Sequence, residues 1–211
     1  MKFYNGLKKT YFILILIILS APQELLSKNI IKVLIIGDSI SAGYGIPLEK
    51  HWVNILQNQL NLKEKKILLI NASISGDTTS GGLSRLDFLL KENTPNYLLL
   101  ELGGNDGLRG YPISQIKKNL NTICTESLKL NIPVGLMQIK LPPNYGMHYT
   151  QAFEKIYLEL AEHKNVTLLP FMLENIALNE NLMLADGIHP NEYAQLEIAK
   201  LMNESLNLLI Q

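Results

Sequence analysis

The chain of 211 residues has one cysteine, Cys124, and one tryptophan, Trp52. A single cysteine excludes an intrachain disulfide and any cysteine-based zinc cluster. It also leaves no cysteine just behind the N-terminal apolar run to carry a lipid. Cys124 stands beside Ile123 in a helical pattern, so a buried, inert thiol is expected. Neither sign of charge is in excess, since 19 Lys and Arg balance 19 Asp and Glu. No clustered basic face accompanies that balance, so nucleic acid is not an expected partner. His, Asp and Glu do not cluster at metal-ligand spacing, and no phosphate-loop or dinucleotide glycine fingerprint follows the first strand. Neither a metal nor a cofactor is expected. Internal repeats, low-complexity tracts and composition shifts are also lacking, which leaves a single folded domain.

Only one long hydrophobic run exists, and it opens the chain. Lys2, Lys8 and Lys9 precede Tyr11–Leu19, and Ser20-Ala21-Pro22 follow. A basic segment, a short apolar segment and small residues describe a secretory signal peptide. The run is shorter than the ~20 residues that span a bilayer comfortably. Cleavage between Ala21 and Lys28 is therefore expected, with an uncleaved anchor as the competing reading. Residues 1–27 are assigned to the signal and 28–211 to the mature domain, exported to the periplasm or beyond, with no membrane span after cleavage. Removing them takes away three Lys and one Glu, leaving a charge of about −2. Nothing demands more than a monomer.

Beyond residue 30, short β-rich runs alternate with longer helical patterns. The runs are Lys32–Ile36, Ile67–Ile70, Tyr97–Leu102, Ile132–Ile139 and Val166–Leu169. Between them, Trp52, Ile55, Leu56 and Leu60 share one helix face, as do Leu83, Leu86, Leu89 and Leu90. Ile113, Ile116, Leu120 and Ile123 repeat the spacing, then Phe153, Ile156, Tyr157 and Leu160. Tyr193, Leu196, Ile198, Ala199 and Met202 are read as a closing helix that Pro190 would begin, and Asn175–Asn181 as a loop. Near-continuous apolar strands between amphipathic helices predict a parallel sheet covered on both faces. The fold class is α/β, a three-layer α/β/α sandwich with a flavodoxin-like, doubly wound, five-stranded parallel sheet. In such a sheet Gly37–Gly45, Asn71–Thr79 and Gly103–Gly110 all emerge at one edge, where ligands bind.

The chemistry begins at Gly37-Asp38-Ser39, directly after the first strand. A serine at that edge is a nucleophile if a base reaches it, and otherwise an ordinary helix cap. Asp186-Gly187-Ile188-His189 supplies a base and a group to orient it. Ala72-Ser73-Ile74-Ser75-Gly76-Asp77 and Gly103-Gly104-Asn105-Asp106 lie between them in order. His51 and His163 are expected on helices facing solvent, and His148 in a loop near the cleft.

These four ordered blocks resemble those of the SGNH (GDSL-type) hydrolase superfamily from about residue 31 to 205. The resemblance is closer still to its periplasmic thioesterase, lysophospholipase and arylesterase subgroup, through Asn71–Thr78, Glu101–Gly110, Met137–Gly146 and Asp186–Asn191. Ile40 departs from the Leu of the family motif, an apolar exchange that alters packing and not chemistry. The resemblance implies a serine esterase or thioesterase acting on acyl-CoA, fatty esters and lysophospholipids. It makes Ser39 the nucleophile, His189 the base and Asp186 its orienting partner. An oxyanion hole would combine the Ser39 and Gly76 backbone N–H groups with the Asn105 amide. Leu108, Arg109, Leu141 and Pro142 would contact substrate, and Gly107–Pro112 would form a lid hinged at its glycines. Two alternatives stand beside this: a carbohydrate O-deacetylase on the same scaffold, and a non-catalytic flavodoxin-like binding domain. The deacetylase would need an open aromatic groove, and the one tryptophan falls on a helix face that reads as buried.

Overall fold

The structure, a computed structural model, describes residues 30–210. The signal-peptide reading of residues 1–27 lies outside the described residues. Five parallel strands, β1 (Ile31–Gly37), β2 (Ile67–Asn71), β3 (Tyr97–Glu101), β4 (Val134–Met137) and β5 (Val166–Leu169), pair in the order β2-β1-β3-β4-β5. This is the flavodoxin-like order that the alternation of segments predicts. Seven α-helices are described: α1 (Ser39–Ala42), α2 (Trp52–Leu62), α3 (Thr79–Asn93), α4 (Gly104–Leu108), α5 (Ile113–Lys129), α6 (Met147–Leu160) and α7 (Gln195–Leu209).

The strands alternate in what they bury. Leu34, Ile36, Leu98 and Leu100 point into a core shared with α3, α5 and α6. Val33, Ile35 and Leu99 point into a second core shared with α2 and α7. Each such side chain leaves water completely, a gain of roughly 1.5–3 kcal/mol per residue before entropy is counted. A sheet apolar on both faces has to be covered on both, and the helices divide accordingly. Trp52 is buried at the start of α2 and Cys124 within α5. Burial pushes the Cys124 thiol up to about 12, which makes it inert as a nucleophile.

Several local expectations are corrected. The closing helix begins at Gln195, and Tyr193 and Leu196 are exposed, so the apolar face is Ile198, Ala199, Met202, Leu206 and Leu209. Pro190 does not start that helix; it forms an antiparallel bridge with Met183. His51 does not face solvent. It lies just before α2 with 3% of its surface exposed, and its ring donates to the Ile40 carbonyl at 3.4 Å. Gly43 admits it, because a Cβ there would come within 2.6 Å of the imidazole. His163 is exposed as expected, but in the turn after α6, and His148 is exposed in the first turn of α6. No helix among the described residues is long and apolar enough to cross a membrane.

Candidate active site

The strand order reverses between β1 and β3, so the C-terminal ends of these two strands open a crevice. Ser39 leaves β1 on one side of it, and Asn105 leaves β3 on the other. Asp38 caps the single turn of α1, its Oδ1 accepting the Ile40 N–H at 3.1 Å. That turn ends at Gly43, in the left-handed region at φ +77°. Ser39 is held in the first turn of α1, where backbone N–H groups have no intrahelical acceptor.

The tail of the chain returns to meet it. The Leu184 N–H donates to the His189 carbonyl at 2.7 Å, and the Met183–Pro190 bridge closes the loop. Gly187 takes the left-handed turn at φ +67°. Inside the loop Asp186 Oδ1 accepts the N–H groups of Ile188 and His189 at 2.9 and 3.0 Å. Its Oδ2 accepts from His189 Nδ1 at 2.7 Å. The His189 backbone N–H, with help from the imidazole and the Ile188 N–H, holds the Asp186 carboxyl down to about 2. With Nδ1 donating to a carboxylate, Nε2 is left as the acceptor. Ser39 Oγ donates to it across 2.8 Å. The Tyr44 ring packs on the imidazole with centroids 4.4 Å apart.

The two middle loops reach the same place. The Ala72 N–H donates to the Ile35 carbonyl and the Ile74 N–H to the Gly37 carbonyl, at 2.9 and 3.1 Å. Asn71 Nδ2 donates to the Ser41 carbonyl at 2.6 Å. These bonds tie the Gly76 loop to the end of β1. Gly76 itself sits at φ +78°, a conformation that favours glycine. Asn105 Nδ2 donates to Asp38 Oδ2 at 3.1 Å. The loops also hold each other, because the buried Asp106 carboxylate accepts the Thr79 N–H at 2.9 Å and the Thr79 hydroxyl at 2.6 Å.

A cavity of about 220 Å³ opens beside Ser39 and His189. Leu108, Leu141 and Pro142 line it, together with Ile139, Phe171 and Met183. Arg109 is not among its lining residues; its Nη2 donates to the Gly76 carbonyl at 3.2 Å. The hinge expectation for Gly107 is also corrected. Gly107 is buried in α4, where a Cβ would fall 2.6 Å from Leu141, so close packing and not freedom requires glycine there. Gly110, at φ +68° with open space around it, is the only left-handed position in that segment. Tyr145 and Tyr149 brace the segment by donating to the carbonyls of Leu108 and Tyr111 at 3.0 and 2.7 Å.

Sequence reasoning overlooked Glu101, which is buried beneath the crevice and accepts the Asp38 N–H at 3.3 Å. Burial, then the Asp38 charge, raises its carboxyl well above the usual range. Burial likewise raises Asp38, to about 6, against the lowering effects of the Ile40 N–H, the His189 charge and the Asn105 amide. Ile139 after β4 and Phe171, Met172 and Leu173 after β5 also line the cavity and were missed, since nothing separates them in sequence from ordinary core.

A serine, a histidine and an aspartate joined in series at the switch point of a doubly wound sheet make the arrangement of a serine hydrolase. Comparison with known proteins gives the family directly. Residues 35–195 match the model of the GDSL-like lipase/acylhydrolase family. The chain is 45% identical over 175 residues to an arylesterase of Vibrio mimicus, covering 83% of this chain and 88% of that one. It is equally 45% identical over 177 residues to thioesterase 1/protease 1/lysophospholipase L1 of Escherichia coli K12, covering 84% of each. Among solved structures, the psychrotrophic esterase EstA from Pseudoalteromonas sp., inhibited by monoethylphosphonate, superposes with a TM-score of 0.83. It is 41% identical, covering 85% of this chain and 98% of that one. The chain belongs to the GDSL-like lipase/acylhydrolase family. It is a serine hydrolase of the esterase and thioesterase type, which sets aside a non-catalytic binding domain.

Proposed function

We propose that the protein is an exported, monomeric hydrolase that cleaves fatty esters, acyl thioesters and lysophospholipids through an acyl-enzyme on Ser39. The observation that carries this reading is the 2.8 Å contact between Ser39 Oγ and His189 Nε2, at the mouth of an aliphatic cavity. A serine hydroxyl is a weak nucleophile at its own pKa and needs a base within hydrogen-bond reach. His189 Nε2 takes the Oγ proton as Oγ attacks the acyl carbon. The carbonyl π electrons move onto oxygen, and the resulting oxyanion is held by the N–H groups of Ser39 and Gly76 and by Asn105 Nδ2. Collapse expels the alkoxide or thiolate, which receives the proton from Nε2. Water then repeats the sequence on the acyl-enzyme, releasing the acid. Asp186 fixes the imidazole tautomer and stabilises the imidazolium, the part an aspartate plays in a Ser-His-Asp triad.

The cavity supports acyl chains over sugars as substrates. Its walls are mostly Leu, Ile, Met, Pro and Phe side chains, with Gln138 and Lys140 among them, and Trp52, the aromatic an open sugar groove would want, is buried in the core. The basic and apolar start of the chain supports export with removal of residues 1–27, leaving 28–211 as the working domain. The test is fluorophosphonate labelling of wild type and Ser39→Ala, followed by hydrolysis of p-nitrophenyl esters of graded length. Labelling that Ser39→Ala abolishes, with rates rising from acetyl to longer chains, is the expected result. Activity confined to acetyl esters would favour the O-deacetylase reading.

A further inference from the structure

An asparagine amide has an NH2 end and a carbonyl end of nearly equal size, so something has to choose which of them serves the cleft. Around Asn105 that choice falls to Asp38. Its Oδ2 accepts from Asn105 Nδ2 at 3.1 Å, and its Oδ1 is already used as an acceptor by the Ile40 N–H. Residue 104 has to be small for this contact, since a Cβ on Gly104 would lie 3.2 Å from Asp38 Oδ2. With 4% of its surface exposed, Asp38 is shielded from water that could substitute for the amide.

We infer that Asp38 is a positioning residue whose ionised carboxylate holds the Asn105 amide with its nitrogen toward the developing oxyanion. The inference rests on the oxyanion role proposed above for Asn105. Protonation of Asp38 gives it an O–H to donate, and Asn105 Oδ1 is the acceptor that a half-turn of the amide would bring round. The turned amide presents a carbonyl oxygen where negative charge develops, which opposes the reaction. Asp38 is therefore a second acid-sensitive element of the site, separate from the imidazole.

The charged and titratable groups facing Asp38 are few. Glu101 lies beneath it at the end of β3, and His189 approaches from the tail loop. Asp77 of the β2–α3 connection is paired with Arg85 at 2.7 Å, and Tyr157 of α6 is buried with its hydroxyl on the Leu102 carbonyl. Two buried carboxyls side by side resist ionising together. Glu101 is the more deeply desolvated, and burial with the Asp38 charge raises its carboxyl well above the usual range, which favours placing the charge of the pair on Asp38.

The test is kcat and KM for p-nitrophenyl butyrate against pH, for wild type, Asp38→Asn, Asn105→Ala and the double variant. Asp38→Asn is expected to lower kcat about 10- to 100-fold with KM little changed, short of the roughly 100- to 1000-fold loss of a donor itself. In the Asn105→Ala background the same change should cost less than about threefold, because residues acting as a unit are not additive. The acid limb of kcat/KM should involve two protons in wild type and one in Asp38→Asn. Additive costs, or a one-proton limb in wild type, would overturn the inference. If Asn105→Ala keeps wild-type kcat, the oxyanion assignment itself fails, a distinct result. Should Asp38→Asn not fold, the wild-type limb alone decides.

Discussion

Thr79 and Asp106, 27 residues apart, are joined twice: the backbone N–H and the hydroxyl of Thr79 both donate to the Asp106 carboxylate, at 2.9 and 2.6 Å. Asp106 is the residue after Asn105, and Thr79 begins the helix that follows the Gly76 loop. The pair thus locks together the two segments that carry the proposed oxyanion donors. Asn119 of α5 adds a third anchor, its Nδ2 donating to Thr79 Oγ at 3.0 Å.

Thr79→Val removes the hydroxyl, keeps the shape and strips one partner from a buried carboxylate. Loss of a hydrogen bond to a buried charged group costs about 1.5–3 kcal/mol. The expected outcome is a destabilisation of that size in urea unfolding, together with a lower kcat as the donors lose register. Unchanged stability would show that Asp106 finds another partner.

Asp186→Asn leaves the loop intact but changes what Nδ1 meets. An amide can donate to Nδ1, which would force the imidazole proton onto Nε2 and block acceptance from Ser39. In a Ser-His-Asp triad this exchange lowers kcat about 10⁴-fold, and a loss of about 10³- to 10⁴-fold is expected here. Because the Asp186 carboxyl is held down to about 2, its charge persists through the working range. The stability it contributes is present above an ordinary aspartate pKa and is lost as pH falls through about 2. A pH titration in wild type should therefore show no loss of imidazole orientation by NMR between pH 4 and 8.

Asp38 has the opposite sign. Its folded pKa of about 6 lies above the ~3.9 of an unfolded aspartate. Between these limits the folded state binds more protons, so its contribution to stability is fully present below about 4 and is lost as pH rises through about 6. Asp38→Asn deletes that dependence while retaining a good helix cap. Relative to the variant, wild type should gain on the order of 2–3 kcal/mol between pH 7 and pH 4. Activity would move the other way over the same interval. A stability difference independent of pH would contradict the raised pKa.

Much of the fold was legible because strand and helix periods differ so clearly in this chain. Val33 to Ile36 form an unbroken apolar run, the mark of a strand buried on both faces, and five such runs between amphipathic helices point to a parallel sheet covered on both sides. The candidate site was readable because four ordered blocks resemble those of a known family, and each block follows a strand end or the tail loop that the fold brings to one edge. What escaped is what depends on long-range burial. His51 beside Lys50 reads as a surface residue, yet it fills the space that Gly43 leaves open. Glu101 reads as the polar end of a strand, and only the packing of Gly37 against its carboxylate shows it to be enclosed. Tyr193 and Leu196 fit a helical spacing, but Tyr193 falls in the turns before α7 that secure the His189 loop, with Asn191 donating to the Leu182 and Met183 carbonyls, and Leu196 falls on the outer face of the helix.

The cavity wall gives the last prediction. Gly107 lies against Leu141 and Phe153, and a Cβ there would meet Leu141 at 2.6 Å and Phe153 at 3.0 Å. Phe153 is fully enclosed and cannot yield. Gly107→Ala is expected to cost about 1–3 kcal/mol as overpacking, outweighing the helix propensity gained. The side chain with room to give is Leu141, and it gives toward the cavity it lines. Rates for octanoyl and longer esters should then fall more than those for acetyl esters, because only long chains need that wall where it is. Equal losses across chain lengths would mean that the acyl chain leaves Ser39 by another route, and the same series run on Gly110→Ala separates wall from backbone turn. Gly110 has open space but a left-handed φ, so its substitution strains the segment without touching Leu141.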